Sequence, residues 1–155
     1  MSRARWKFKG RSESGGFFQL PHAVMDSPNF RALSGSAVKL LTALGRQYHG
    51  NNNGDLSAAW RIMQPHGWRS RDTLQRAIRE LLEAGMIEKT RQGGLHKCNL
   101  FALTWRAVDD CDGKLEVPST RVASGLWRPP SENRIASTDS VSIKHGFRVN
   151  SAKAA

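Results

Sequence analysis

The sequence predicts an α+β fold: a three-helix core followed by a two-stranded antiparallel hairpin. Three observations predict it. Residues 34–49 and 70–85 each place apolar side chains at helical spacing. The stretch between them holds a short helix that Pro65 and Gly67 end. After Gly85 the pattern changes to strand-like runs on either side of Gly93-Gly94.

The third helix is the element around which the others are arranged. Leu74, Ala77, Ile78, Leu81 and Leu82 form one apolar stripe over residues 70–84. Ser70 is suited to capping the first turn, Asp72 to the positive end of the helix dipole, and Gly85 to the left-handed stop. Arg71, Gln75, Arg76 and Arg79 fall off the stripe. One face must be buried, and the other offers guanidinium and amide groups. A solvated surface helix would show the same charges in isolation.

The remaining elements follow in chain order. Residues 1–16 carry Arg3, Arg5, Lys7, Lys9 and Arg11 around Trp6 and Phe8 and end in Ser/Gly, as a flexible basic arm does. Residues 17–33 supply core side chains from Phe17 to Leu33, with a helix start at Ser27-Pro28. In residues 34–49, Ala37, Leu40, Leu41 and Leu44 make the first strong apolar face, capped by Ser34 or Ser36. The run Gly50-Asn51-Asn52-Asn53-Gly54 reads as a tight turn, because Asn and Gly tolerate positive φ. Leu56-Ser57 is a short extended segment. A helix over 58–64 buries Ala59, Trp60 and Met63, and Trp68 fills the space before the next helix. Helix, Gly-containing turn and second amphipathic helix make a helix-turn-helix arrangement.

Residues 86–91 form a strand, Gln92-Gly93-Gly94 a turn, and 95–105 the return strand. Phe101, Leu103 and Trp105 point one way, and Leu100, Ala102 and Thr104 the other. Beyond Asp109-Asp110-Cys111-Asp112-Gly113, prolines and serines accumulate and apolar residues thin out. That composition predicts a mostly disordered tail over 109–155. Trp127 with Arg128-Pro129-Pro130 reads either as a docking motif for a protein partner or as an unstructured spacer. The domain plan is therefore an arm at 1–16, a folded domain at 17–108 and a tail at 109–155.

Charge points to the partner. Lys plus Arg number 24 against 13 Asp plus Glu, a net charge of +11. The excess is +4 over residues 1–33, +6 over 34–108 and +1 over 109–155. A basic surface on the folded domain attracts polyanions, nucleic acid first. Two cysteines, Cys98 and Cys111, make no disulfide framework. No apolar run approaches the roughly 18 residues that span a bilayer, and no hydrophobic signal segment follows the N-terminus. A soluble, cytoplasmic protein without membrane contact is expected.

The order of helix, short strand, helix, turn, helix and hairpin resembles the winged helix-turn-helix superfamily. The carrying residues are Leu56-Ser57, the turn at Gly67-Trp68, the run Ser70-Arg71-Asp72-Thr73-Leu74 with Ala77-Ile78 and Leu81-Leu82, and Gly85-Met86-Ile87 opening the wing. The resemblance covers about residues 34–105. Trp60, Pro65, His66 and Trp68 depart from the alanine-rich first helix and leucine-glycine turn of many members. More loosely, Leu20-Pro21-His22 and the Asn-rich turn are similar to small helix-turn-helix proteins of bacterial mobile elements. What the resemblance implies is sequence-specific binding of double-stranded DNA, as a transcriptional regulator or as a replication-initiation protein. A winged-helix module that binds protein instead is the remaining alternative. A homodimer is left open.

On that reading Arg71, Gln75 and Arg76 are the candidates for base edges. Arg69, Ser70, Thr73 and Arg79 are the candidates for phosphates, with Arg91 and Lys97 at the wing tip. No catalytic set of Ser/His/Asp or Cys/His can be assembled, so neither enzyme activity nor a cofactor is expected. His96, Cys98 and Cys111 lack the spacing of a zinc site, and Asp110-Cys111-Asp112-Gly113 lacks the glycine position and terminal Glu of a calcium loop.

Overall fold

The computed structural model describes residues 15–130. The expected arm up to Ser14, and the expected tail beyond Pro130, lie outside the described residues. Among those described, five α-helices and one three-stranded antiparallel sheet make an α+β domain. None of these helices is long and apolar enough to cross a membrane.

Two single-turn helices, α1 (His22–Met25) and α2 (Pro28–Arg31), precede the long ones. α2 begins as the Ser27-Pro28 pair predicts: the Ser27 hydroxyl accepts from the Phe30 N–H at 3.2 Å. α3 (Gly35–Gln47) is capped by Ser34, whose hydroxyl accepts from the Ala37 N–H at 3.2 Å. Its stripe of Ala37, Leu40, Leu41 and Leu44 is fully buried. Burial of each such leucine is worth about 1.5–3 kcal/mol.

The Asn-rich segment does more than turn the chain. Asn53 is wholly buried. Its side-chain amide donates to the carbonyls of Leu103, Arg106 and Ala107, and its side-chain oxygen accepts from the Leu103 N–H at 2.7 Å. The chain then forms β1 (Leu56–Ser57) and α4 (Trp60–Met63), which continues through a 3-10 turn at Gln64–His66. Pro65 therefore ends the α-helix but does not stop helical winding at once. Met63 and Ala58 are the buried residues here, while Ala59 and Trp60 are half-buried. Gly67, at φ +80°, reverses the chain, and Trp68 inserts into the core.

α5 (Arg71–Glu83) packs against α3. Glu80 crosses from α5 to the start of α3, where one carboxylate oxygen accepts from the Ser34 N–H at 2.5 Å and the other from its hydroxyl at 2.7 Å. A carboxylate at that end of a helix meets unpaired N–H groups and the positive dipole terminus.

The sheet has the order β1–β3–β2, with β2 at Ile87–Arg91 and β3 at Leu100–Leu103. Leu56 lies opposite Phe101, and Ile87 opposite Leu103. The ladder slips between Lys89 and Arg91, so Thr90 bulges inward and its hydroxyl donates to the Gly54 carbonyl at 2.6 Å. At one side of the sheet the Gln47 amide bonds both the N–H and the carbonyl of Ser57. At the other, Glu116 donates its N–H to the Thr90 carbonyl and accepts from the Gln92 N–H.

β3 is shorter than the return strand that the alternation over 99–105 suggests, and all four of its residues are buried. Phe101 and Leu103 face the helices, and Leu100 and Ala102 face away. Residues 106–127, which the composition places largely with the disordered tail, fold back onto the domain. The Gly125 N–H donates to the Thr104 carbonyl at 2.8 Å, and Val108 is buried. Trp127, only 8% exposed, joins the main core. Neither docking motif nor free spacer describes it. Gly85, at φ +69°, ends α5, and a Cβ there would run into the Leu126 carbonyl. A few well-placed contacts thus hold a stretch whose average composition looks unable to fold.

Candidate nucleic-acid interface

α5 forms where its stripe predicts. Ser70 is its N-cap, accepting from the Thr73 N–H at 3.3 Å, and Leu74, Ala77, Ile78 and Leu81 are buried, with Leu82 half-buried. The outward face carries Arg71, Asp72, Gln75, Arg76 and Arg79, all exposed, with exposed Arg69 and Ser70 just before it. Thr73 is half-buried and presents less of its hydroxyl than the pattern implies.

The guanidinium groups are not equivalent. Arg71 lies over the Trp60 ring, 5.3 Å from its centroid. Arg76 bonds the Asp72 carboxylate one turn earlier at 2.6 Å, with both side chains more than two-thirds open to solvent (68% and 75%). Among the described residues neither Arg69 nor Arg79 has an ion pair or side-chain hydrogen bond.

The hairpin β2–β3 stands beside α5, and a groove of about 320 Å³ lies between them. Trp60, Gln75, Gln92, Lys97 and Asn99 line it, so the helix and the hairpin each offer polar groups to one space. The turn is placed two residues later than the glycine pair suggests. Gly94 and Lys97 close it with paired backbone bonds of 3.0 and 3.2 Å, and Leu95-His96 form the tip. His96 adopts φ +64° and Leu95 is 87% exposed. Gly93 sits instead where the hairpin narrows. Its N–H donates to the Asn99 side chain at 2.6 Å, and a Cβ would press on the Lys97–Asn99 backbone.

Lys97 is exposed beside the tip. Arg91 is not at the tip. The bulge sets it opposite Leu100, and its guanidinium donates to the Cys98 carbonyl at 3.2 Å and to the Lys114 carbonyl at 3.4 Å. Its donors brace the hairpin and are committed within the chain. Cys98 accepts from the Ser57 hydroxyl at 3.4 Å, while Cys111 lies against the Asn53 carbonyl at 3.9 Å.

Chemically, the face offers planar guanidinium and amide donors that match purine edges, and point charges that match phosphate oxygens. Trp60 and Asn99 were not evident from sequence as parts of this surface, whereas Gln92 was expected near the hairpin tip. Asp72–Arg76 was legible as an i, i+4 pair, but nothing in the spacing brings Trp60 under Arg71. No protein-family model matches the chain, and no curated protein or solved structure matches it either.

Proposed function

We propose that the domain, from residue 17 to Trp127, contains a winged helix-turn-helix that binds double-stranded DNA with sequence specificity, and that the protein acts as a bacterial transcriptional regulator. α4, the Gly67 turn and α5 are the helix-turn-helix, and β2–β3 is the wing. The observation that carries the reading is α5 itself. It is held to the body by its leucine face, and its arginine face stays open beside a projecting hairpin.

In this reading α5 enters a major groove. Arg71, Gln75 and Arg76 contact base edges. Arg69, Ser70, Thr73 and Arg79 hold phosphates. Lys97 reaches the backbone at the wing, and Arg91 keeps the wing in shape rather than touching DNA.

Selection from a random duplex pool, followed by sequencing, tests it. A palindromic motif fits a dimeric regulator, and tandem repeats shift the reading to replication initiation. Binding falls with salt at a logarithmic slope of about −0.9 per phosphate neutralised. Arg76→Ala costs about 1–3 kcal/mol and relaxes base preference at one position, whereas Lys97→Ala weakens all duplexes alike. Wild-type affinity in an Arg71/Arg76 double alanine variant ends the assignment. Absence of duplex binding even at low salt hands the surface to a protein partner.

A further inference from the structure

The arginines on the open face of α5 divide into two kinds. Arg71 is laid on the Trp60 ring and Arg76 is held by Asp72, while Arg69 and Arg79 have no such partner among the described residues. We infer that Trp60 and Asp72 are positioning residues that pre-orient Arg71 and Arg76 for base edges, so that specificity resides in the held pair and general affinity in the free pair. This rests on the DNA-binding reading above.

The physical argument concerns what each contact requires. A phosphate oxygen accepts a guanidinium from many directions, and a mobile arginine serves it well. A purine edge needs two parallel N–H groups in one plane. A free arginine must surrender rotamer freedom to supply that plane, at a cost comparable to the contact itself. The Trp60 ring gives the Arg71 guanidinium a favoured resting place before any ligand arrives. Asp72 sets the reach of Arg76 from the first turn of the same helix. Trp60 is suited to this because it is half-buried: it packs on the core and also lines the groove that Gln75 and Lys97 share. Asp72 suits the positive end of the helix dipole, and from there its carboxylate also reaches Arg76.

The test measures two affinities for each variant: one for the duplex recovered by selection, one for a scrambled duplex of equal length. Trp60→Leu lowers their ratio about two- to fivefold, the factor that an exposed cation–π contact of about 0.5–1 kcal/mol corresponds to. Trp60→Phe, which keeps an aromatic face, restores most of the ratio. In an Arg71→Ala background, Trp60→Leu changes nothing further, because it acts through Arg71. Asp72→Asn, on an exposed side chain that leaves folding intact, lowers the ratio while scrambled-duplex affinity stays level or rises. Arg79→Ala lowers both affinities together. An additive Trp60/Arg71 cycle, or an unchanged ratio in Asp72→Asn, overturns the inference while specific binding by the wild type stands. A wild type that binds no duplex removes the functional reading and this inference with it.

Discussion

α5 and the segment after β3 are held in place by opposite means. α5 is organised by its own period, with four buried side chains on one stripe, one cap and one glycine stop. Residues 106–127 have almost no regular structure beyond a single 3-10 turn at Cys111–Gly113. They are fixed by contacts with residues far away in sequence: Asn53 to the carbonyls of Arg106 and Ala107, Glu116 to Thr90, Gly125 to Thr104, and Trp127 in the core. The difference separates the source of stability from the face on which the proposed function depends. The helix with the local code has its outer face free for a ligand. The segment without one is held by a few backbone bonds and two buried side chains, Val108 and Trp127.

That contrast can be broken at its strong end first. Trp127→Ala destabilises the domain by about 3–5 kcal/mol, read as a denaturant midpoint, because a large buried ring is lost. A loss below about 1 kcal/mol would mean that the segment is an accessory and the contrast fails. Asn53→Ala costs about 1–3 kcal/mol on the same measure, since it leaves the buried Leu103 N–H without its partner. Arg79→Ala sharpens the other side: stability stays within about 0.5 kcal/mol, as for open surface positions, while affinity for any duplex falls.

The smallest effect is alkaline. Burial, with help from the Asp55 and Asp109 carboxylates, pushes the Cys111 thiol above its ordinary 9.0. The Asp55 carboxylate, bonded to Lys114 at 2.6 Å, pushes the ammonium above its ordinary 10.5. Both shifts favour the protonated form in the folded chain. Their stabilisation is complete below those ordinary values and disappears as pH rises through the higher folded ones. The melting temperature therefore declines above about pH 9, and Lys114→Met flattens the upper part of that decline by lowering the melt slightly at neutral pH, where the pair with Asp55 is intact in the parent chain.

Much of the helical scaffold was legible because each helix states its own limits. Ser27-Pro28, Ser34 and Ser70 mark starts, Gly85 marks a stop, and the leucine stripes mark the buried side. The hairpin was legible in outline, yet its tip moved from Gly93-Gly94 to Leu95-His96 because the Asn99 side chain captures the Gly93 N–H and narrows the ladder there. Arg91 was misplaced for a related reason. A one-residue bulge at Thr90 changes which side a later side chain takes, and no local pattern announces a bulge. Asn53 and Trp127 show the limit most clearly. An asparagine in a Gly/Asn run suggests a turn, and a lone tryptophan in a proline-rich stretch suggests a loose segment. Only contacts across fifty or more residues reveal one as a buried junction and the other as core. Of the candidate interface, the arginine face could be read from periodicity, whereas the tryptophan beneath Arg71 depends on how α4 meets α5.

The Gln47 and Glu116 hydrogen bonds carry one more consequence. A sheet whose margins expose unpaired backbone groups invites a neighbouring molecule to extend it, and from there fibrous association. Here Ser57, Thr90 and Gln92 are already satisfied from within the chain. A foreign strand finds those positions taken, so extension of the sheet by another molecule is disfavoured there.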